Sequence, residues 1–136
     1  MLLADSAQVA EQKLYVMGGG WSFIGPEVGP FALALLAQIE WWESDIAHNF
    51  RLELQDEDAR PVLLGEPGQP IAVEGAIEVS RPPGHPEGTA LHVPLAINFS
   101  PMPIPPGQRY VWALTVDSSP DRVWRVAFNV RAAAEN

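Results

Sequence analysis

Tyr110-Val111-Trp112-Ala113-Leu114-Thr115-Val116, then Asp117 to Arg122, then Val123-Trp124-Arg125-Val126-Ala127-Phe128-Asn129-Val130 is the stretch whose reading decides the fold. Bulky apolar side chains fall on every second position: Tyr110, Trp112, Leu114 and Val116, then Trp124, Val126, Phe128 and Val130. A period of two is the repeat of a pleated strand with one face buried. The six residues from Asp117 to Arg122, with Pro120 inside, read as the loop of a hairpin.

The same rhythm extends back through most of the chain. Leu91, Val93, Leu95, Ile97 and Phe99 alternate, as do Ile71, Val73, Ile77 and Val79, with Gly75 on their inward phase leaving space for a bulky neighbour. Phe50, Leu52 and Leu54 alternate with Arg51, Glu53 and Gln55, the pattern of a sheet wet on one side, and His48 shares their inward phase. Phe31, Leu33, Leu35, Ala37, Ile39 and Trp41 form a further strand. The intervening Ala32, Ala34 and Leu36 are apolar too, so its first half is expected to be covered on both faces. Residues 2 to 9 and 13 to 17 read as a strand pair joined near Ala10-Glu11-Gln12. Asp56 to Arg60 closes a polar turn into Pro61-Val62-Leu63-Leu64, read as a short edge strand. Pro94 lacks the donor that a central ladder requires, so its strand is expected at an edge or bulged. The expectation is all-β: an antiparallel two-sheet sandwich of about seven to nine strands, forming one domain over residues 1–136.

Composition narrows the function. The chain has 136 residues, 47% of them apolar, and 14 Pro with 11 Gly, a globular sequence rich in turn formers. Eight Lys and Arg against 17 Asp and Glu give a net charge of −9, which phosphate backbones repel, so no nucleic-acid partner is expected. No run of residues is apolar enough to span a bilayer and no basic segment precedes Asp5, so neither membrane insertion nor export is expected and a cytoplasmic location is. Without cysteine there is no disulfide framework and no thiol chemistry.

Two resemblances follow from particular residues. Pro105-Pro106-Gly107-Gln108-Arg109-Tyr110-Val111-Trp112 resembles the corner that opens the penultimate strand of immunoglobulin-like and fibronectin-like sandwiches, which implies that the Tyr110 hydroxyl bonds back to nearby backbone. The segments Ala4 to Val9, Lys13 to Trp21, Arg81 to Thr89 and Val93 to Asn98 resemble a family of short, uncharacterised bacterial proteins common in actinobacteria, a domain of unknown function. That resemblance implies no reaction, cofactor or catalytic residue.

Candidate chemistry is sparse. Gly18-Gly19-Gly20-Trp21 suggests a phosphate loop, but Ser22-Phe23-Ile24-Gly25-Pro26 cannot start the helix such a loop needs, and the glycines read instead as close packing or positive φ at a crossover between sheets. Ser22 sits in a near match to a nucleophile elbow whose second glycine is replaced by Ile24. His48, His85 and His92 are the only imidazoles, and nothing in the spacing brings one to a serine and a carboxylate. Asp56-Glu57-Asp58 lacks the glycine and distal glutamate of a calcium loop. Asn98-Phe99-Ser100 fits a glycosylation triplet that Pro101 and the missing export signal make accidental.

If the strands run as in an immunoglobulin-like fold, loops 42–47, 80–90 and 117–122 share one end. That end gathers Glu43, Asp45, Glu87, Asp117 and Asp121, with Arg81 and Arg122 nearby: either a solvated charged rim or a calcium site. Loops 18–30, 56–60 and 100–108 share the other end, where Trp21, Phe23, Ile24, Met102 and Ile104 form a candidate interaction patch, unless they fold back and plug the core. Trp41 and Trp42, adjacent in a strand, would point to opposite faces, one of them available to stack on a sugar. The function expected is a non-enzymatic interaction or assembly module with a protein partner or a second copy. The competing expectation is a sandwich that binds calcium or carbohydrate at its acidic end. No cofactor is expected.

Overall fold

A computed structural model describes residues 1–134 of the protein. The described residues form eleven strands: β1 (Leu2–Ala10), β2 (Lys13–Gly19), β3 (Phe23–Ile24), β4 (Phe31–Ile39), β5 (His48–Asp56), β6 (Leu63–Leu64), β7 (Gln69–Pro70), β8 (Ala72–Ile77), β9 (Leu91–Phe99), β10 (Arg109–Val116) and β11 (Val123–Val130). One 3-10 turn, Trp41–Glu43, is the only helical element among them. One sheet has the order β2-β1-β4-β9, a second β3-β11-β10-β5-β8, and β6-β7 is a separate ribbon. Pairing is antiparallel except where β3 crosses from the first sheet and runs parallel to β11, so the second sheet is mixed and not antiparallel throughout.

The alternating residues form the core. Phe31, Leu33 and Leu35 of the first sheet join Leu52, Leu54, Tyr110, Trp112, Leu114 and Phe128 of the second in one buried cluster. Trp112 stacks on Phe99 at 4.7 Å, and Tyr110 on Phe128 at 5.7 Å. Each such fully buried side chain contributes about 1.5–3 kcal/mol. Gly75 lies opposite Phe50, and a Cβ there would stand 2.9 Å from two ring carbons, so the position is glycine to admit the ring.

β4 is buried on both faces from Phe31 to Leu35, and β1 explains why. β1 pairs with β4 only from Leu2 to Ala4, then carries β2 with it over the outer face of the sheet. There Ala7 packs on Ala32 and Ala34 with Leu14 and Ala96 beside them, an all-small contact that lets two backbones lie close. The Asn98 side chain locks it, donating to the Ala7 carbonyl at 2.9 Å and accepting from its N–H at 3.5 Å. Gly18, at φ +62°, faces Asp5, whose carboxylate would collide with any Cβ there. Gly20 donates to the Leu3 carbonyl at 2.7 Å. The triple glycine thus shapes the turn-away of the hairpin and the crossover to β3.

Several expectations are corrected. β4 ends at Ile39, not Trp41, because the Trp41 carbonyl is taken by the Ser44 hydroxyl at 2.6 Å and by Arg81 at 3.0 Å. Trp41 and Trp42 therefore lie in a tight turn, and the opposite-faces argument does not apply to them. Residues 61–64 are not one edge strand: Pro61 bridges to Gln55, while Leu63 and Leu64 pair with Pro70 and Gln69. Pro94 sits on β9, an edge strand, which is where a residue without an N–H is tolerated.

Candidate functional site

The loops at residues 40–47, 80–90 and 117–122 meet at one end around His48, the first residue of β5. His48 is 7% exposed, with Nδ1 2.8 Å from Asp117 Oδ2 and Nε2 2.8 Å from the Glu43 carbonyl oxygen. Both partners are acceptors, and only the imidazolium carries a proton on both nitrogens. The bond to Asp117 and the Glu43 carbonyl accordingly hold the His48 pKa above its ordinary value, against the opposing effect of burial. The same bond to His48 holds the Asp117 carboxyl below its ordinary value, with the Asn49 N–H and Arg122 adding to the effect.

Arg122 completes the network, donating to Asp117 at 3.1 Å and to Glu43 at 2.7 Å. Next to it, Arg81 donates to Ser44 Oγ at 2.6 Å, lies 4.2 Å over the Trp41 ring and stands 3.8 Å from Asp45. The His85 ring stacks on Trp41 at 5.8 Å. Of the acidic residues expected to gather here, Glu43, Asp45 and Asp117 are therefore each matched to a cation. Glu87 and Asp121 are exposed and make no ion pair among the described residues. Also among the described residues, no group of three or more His, Asp or Glu is placed to hold a metal ion. Chemically, this end is a tie: each nitrogen of His48 and the hydroxyl of Ser44 is engaged in fastening one loop to another.

The opposite end does not present the expected patch. Met102 and Ile104 are buried, Trp21 and Ile24 are half-buried against the core, and Val28 joins them through a bridge to Met102. The Trp21 ring meets Phe31 and Phe128 edge-on at 5.9 and 6.1 Å. Burial of that much apolar area outweighs presenting it to water, so the loops plug the open end. Only Phe23 stays out, 54% exposed with Arg131 4.8 Å over its ring.

What the residue pattern did not reveal is a seam along one side. Because β1 leaves β4 after Ala4, β4 from Leu36 to Ile39 has no strand partner on that side among the described residues, while Met1 stands on the cavity wall with Leu35. β11 likewise meets β3 only at Asn129 and Val130, so its first six residues have a free edge. Between them lies a cavity of about 240 Å³ lined by Met1, Leu35, Ala37, Ile39, Leu114, Val116 and Trp124, with His48 and Arg122 also on its wall. Leu36 and Trp124 are 56% and 50% exposed at its rim. The one signal in the sequence was the excess of apolar residues on the outward phase, Leu36 among them.

An all-β chain of two sheets with a shared core, one tied end and one open side is the class of protein these features define. The chain belongs to DUF6941, a family of unknown function, which it matches over residues 1–131. No curated protein and no solved structure matches it.

Proposed function

We propose that the protein is a non-enzymatic interaction or assembly module, an immunoglobulin-like sandwich that works in the bacterial cytoplasm through its open strand edges. The strand order supports the sandwich. β4 and β9 would be strands B and E of one sheet, and β11-β10-β5 strands G, F and C of the other. The Tyr110 hydroxyl donates to the Pro105 carbonyl at 2.6 Å, the bond a tyrosine corner makes.

The observation that carries the function is the seam. Unpaired backbone beside exposed Leu36 and Trp124 is a surface suited to adding an extended segment, because main-chain bonds supply affinity and the cavity takes alternate side chains. The competing calcium or carbohydrate reading has less support, since Glu43 and Asp117 would first have to leave Arg122 and His48.

The test is capture from an extract of the cells that make the protein, comparing wild type with Leu36→Lys/Trp124→Lys. A module acting through the seam loses its specific partners in the variant while circular dichroism and melting stay unchanged. Identical captured sets from both proteins, or none from either, would refute the reading.

A further inference from the structure

We infer that the segment the seam receives is strand β2 of a second copy of this chain, laid antiparallel to β4 with Lys13 opposite Ile39, Tyr15 opposite Ala37 and Val16 opposite Leu36, and with Met17 reaching Met1 at the end of β1. The inference rests on the module reading and names its partner.

Two incomplete surfaces of the same molecule motivate it. β2 is an edge strand: β1 occupies one side and nothing among the described residues occupies the other. It nevertheless carries Tyr15, Val16 and Met17 at 46%, 37% and 70% exposure, an apolar edge that proteins ordinarily blunt with charge. β4 ends its pairing with β1 at Ala34, with Met1 just beyond, so a strand beside Leu36 to Ile39 would continue an existing ladder.

Register and charge then select β2 and its direction. Residues directly opposite in an antiparallel pair share a face. In this register Tyr15, which points away from its own sheet's alanine contact, falls on the inward phase of β4, and Met17 on the same face meets Met1. Tyr15 lies over Ala37, the smallest side chain of the seam, and enters the cavity. Val16 falls beside exposed Leu36 on the outer face.

Lys13 is the only lysine in the chain and has no ion-pair partner among the described residues. The antiparallel direction brings it to the end where Glu40 lies without an ion pair among the described residues, whereas the parallel direction would carry it to the opposite end. Repulsion between two chains of charge −9 is reduced along β2, because residues 13–26 contain no acidic side chain. The contact uses different surfaces on the two copies, so it gives a closed dimer if both seams fill across a two-fold axis and an open chain if they do not.

Sedimentation of the full chain from about 1 to 500 μM tests this. Wild type is expected to rise above the 14.8 kDa monomer with concentration. Met17→Lys and Leu36→Lys, both at exposed positions, are each expected to stay monomeric with unchanged melting. The chain has no cysteine, so Val16→Cys mixed with Leu36→Cys reports the register directly. An inter-chain disulfide should form with these two and not with Val16→Cys plus His92→Cys, whose second site is exposed on the far edge strand. A wild type monomeric at every concentration, or disulfides equal in both mixtures, overturns the self-pairing. A monomer whose seam variant still loses its captured partners overturns the self-pairing alone and leaves the module reading standing.

Discussion

Tyr110→Phe isolates one bond. The ring is 1% exposed and stacks on Phe128, and phenylalanine keeps that packing while deleting the hydroxyl that reaches Pro105 at 2.6 Å. Pro105 itself is exposed, so water can take over its carbonyl, and the loss is the net value of one hydrogen bond and not a full desolvation penalty. That value is about 1 kcal/mol. For a chain of this size it corresponds to a melting temperature lower by roughly 3–5 °C.

Urea denaturation with the slope held in common measures the energy. Hydrogen exchange locates it: the Gly107 amide, which donates to Val130 at 2.9 Å next to the corner, should lose protection before the amides of β4 do. A loss under about 0.3 kcal/mol would mean that the bond adds nothing beyond what water supplies, and a loss over about 3 kcal/mol would mean that the ring does not keep its place. Either result refutes the reasoning.

Three further outcomes are expected. The His48–Asp117 tie gives a signed pH dependence. His48, with its pKa raised, contributes stability that is full below its ordinary 6.5 and is lost as pH rises through the elevated value. Asp117, with its pKa lowered, contributes above its ordinary 3.8 and loses that contribution as pH falls through the depressed value. Melting followed across pH should therefore show the tie at full strength between those two ordinary values, and His48→Gln should flatten the alkaline decline; an unchanged decline would contradict the assignment. Asn98→Ala removes both bonds to Ala7 and should cost about 1–2 kcal/mol, with faster hydrogen exchange in residues 5–10 but not in β10. Gly75→Ala should cost about 1–3 kcal/mol through collision with Phe50, and adding Phe50→Leu should recover part of it in a double-mutant cycle.

Alternation made most of the strands legible. Leu91–Phe99 and the β10–β11 hairpin appear where the period of two puts them, because strands with one buried and one wet face leave no ambiguity of phase. His48 on the inward phase followed from the same alternation, whereas loops 42–47 and 117–122 sharing an end followed only from assuming an immunoglobulin-like strand order. Ala32 and Ala34 announced a second covering layer, but alanine only permits close approach and does not name what approaches, so the folded-over hairpin was not legible.

The seam was hidden for a related reason. Periodicity describes one strand at a time, whereas the seam arises from where β1 stops accompanying β4. Trp41-Trp42 kept the strand rhythm while local bonds to Ser44 and Arg81 turned the backbone. Whether Met102 and Ile104 face water or the core depended on the path of irregular loops, which has no period to read.

The clasp between Ala7 and Asn98 joins positions 91 residues apart. On a ribosome adding roughly 5–20 residues each second, Ala7 is made some 5–18 seconds before Asn98, the residue that fastens it. The opening segment is thus synthesised first and secured late.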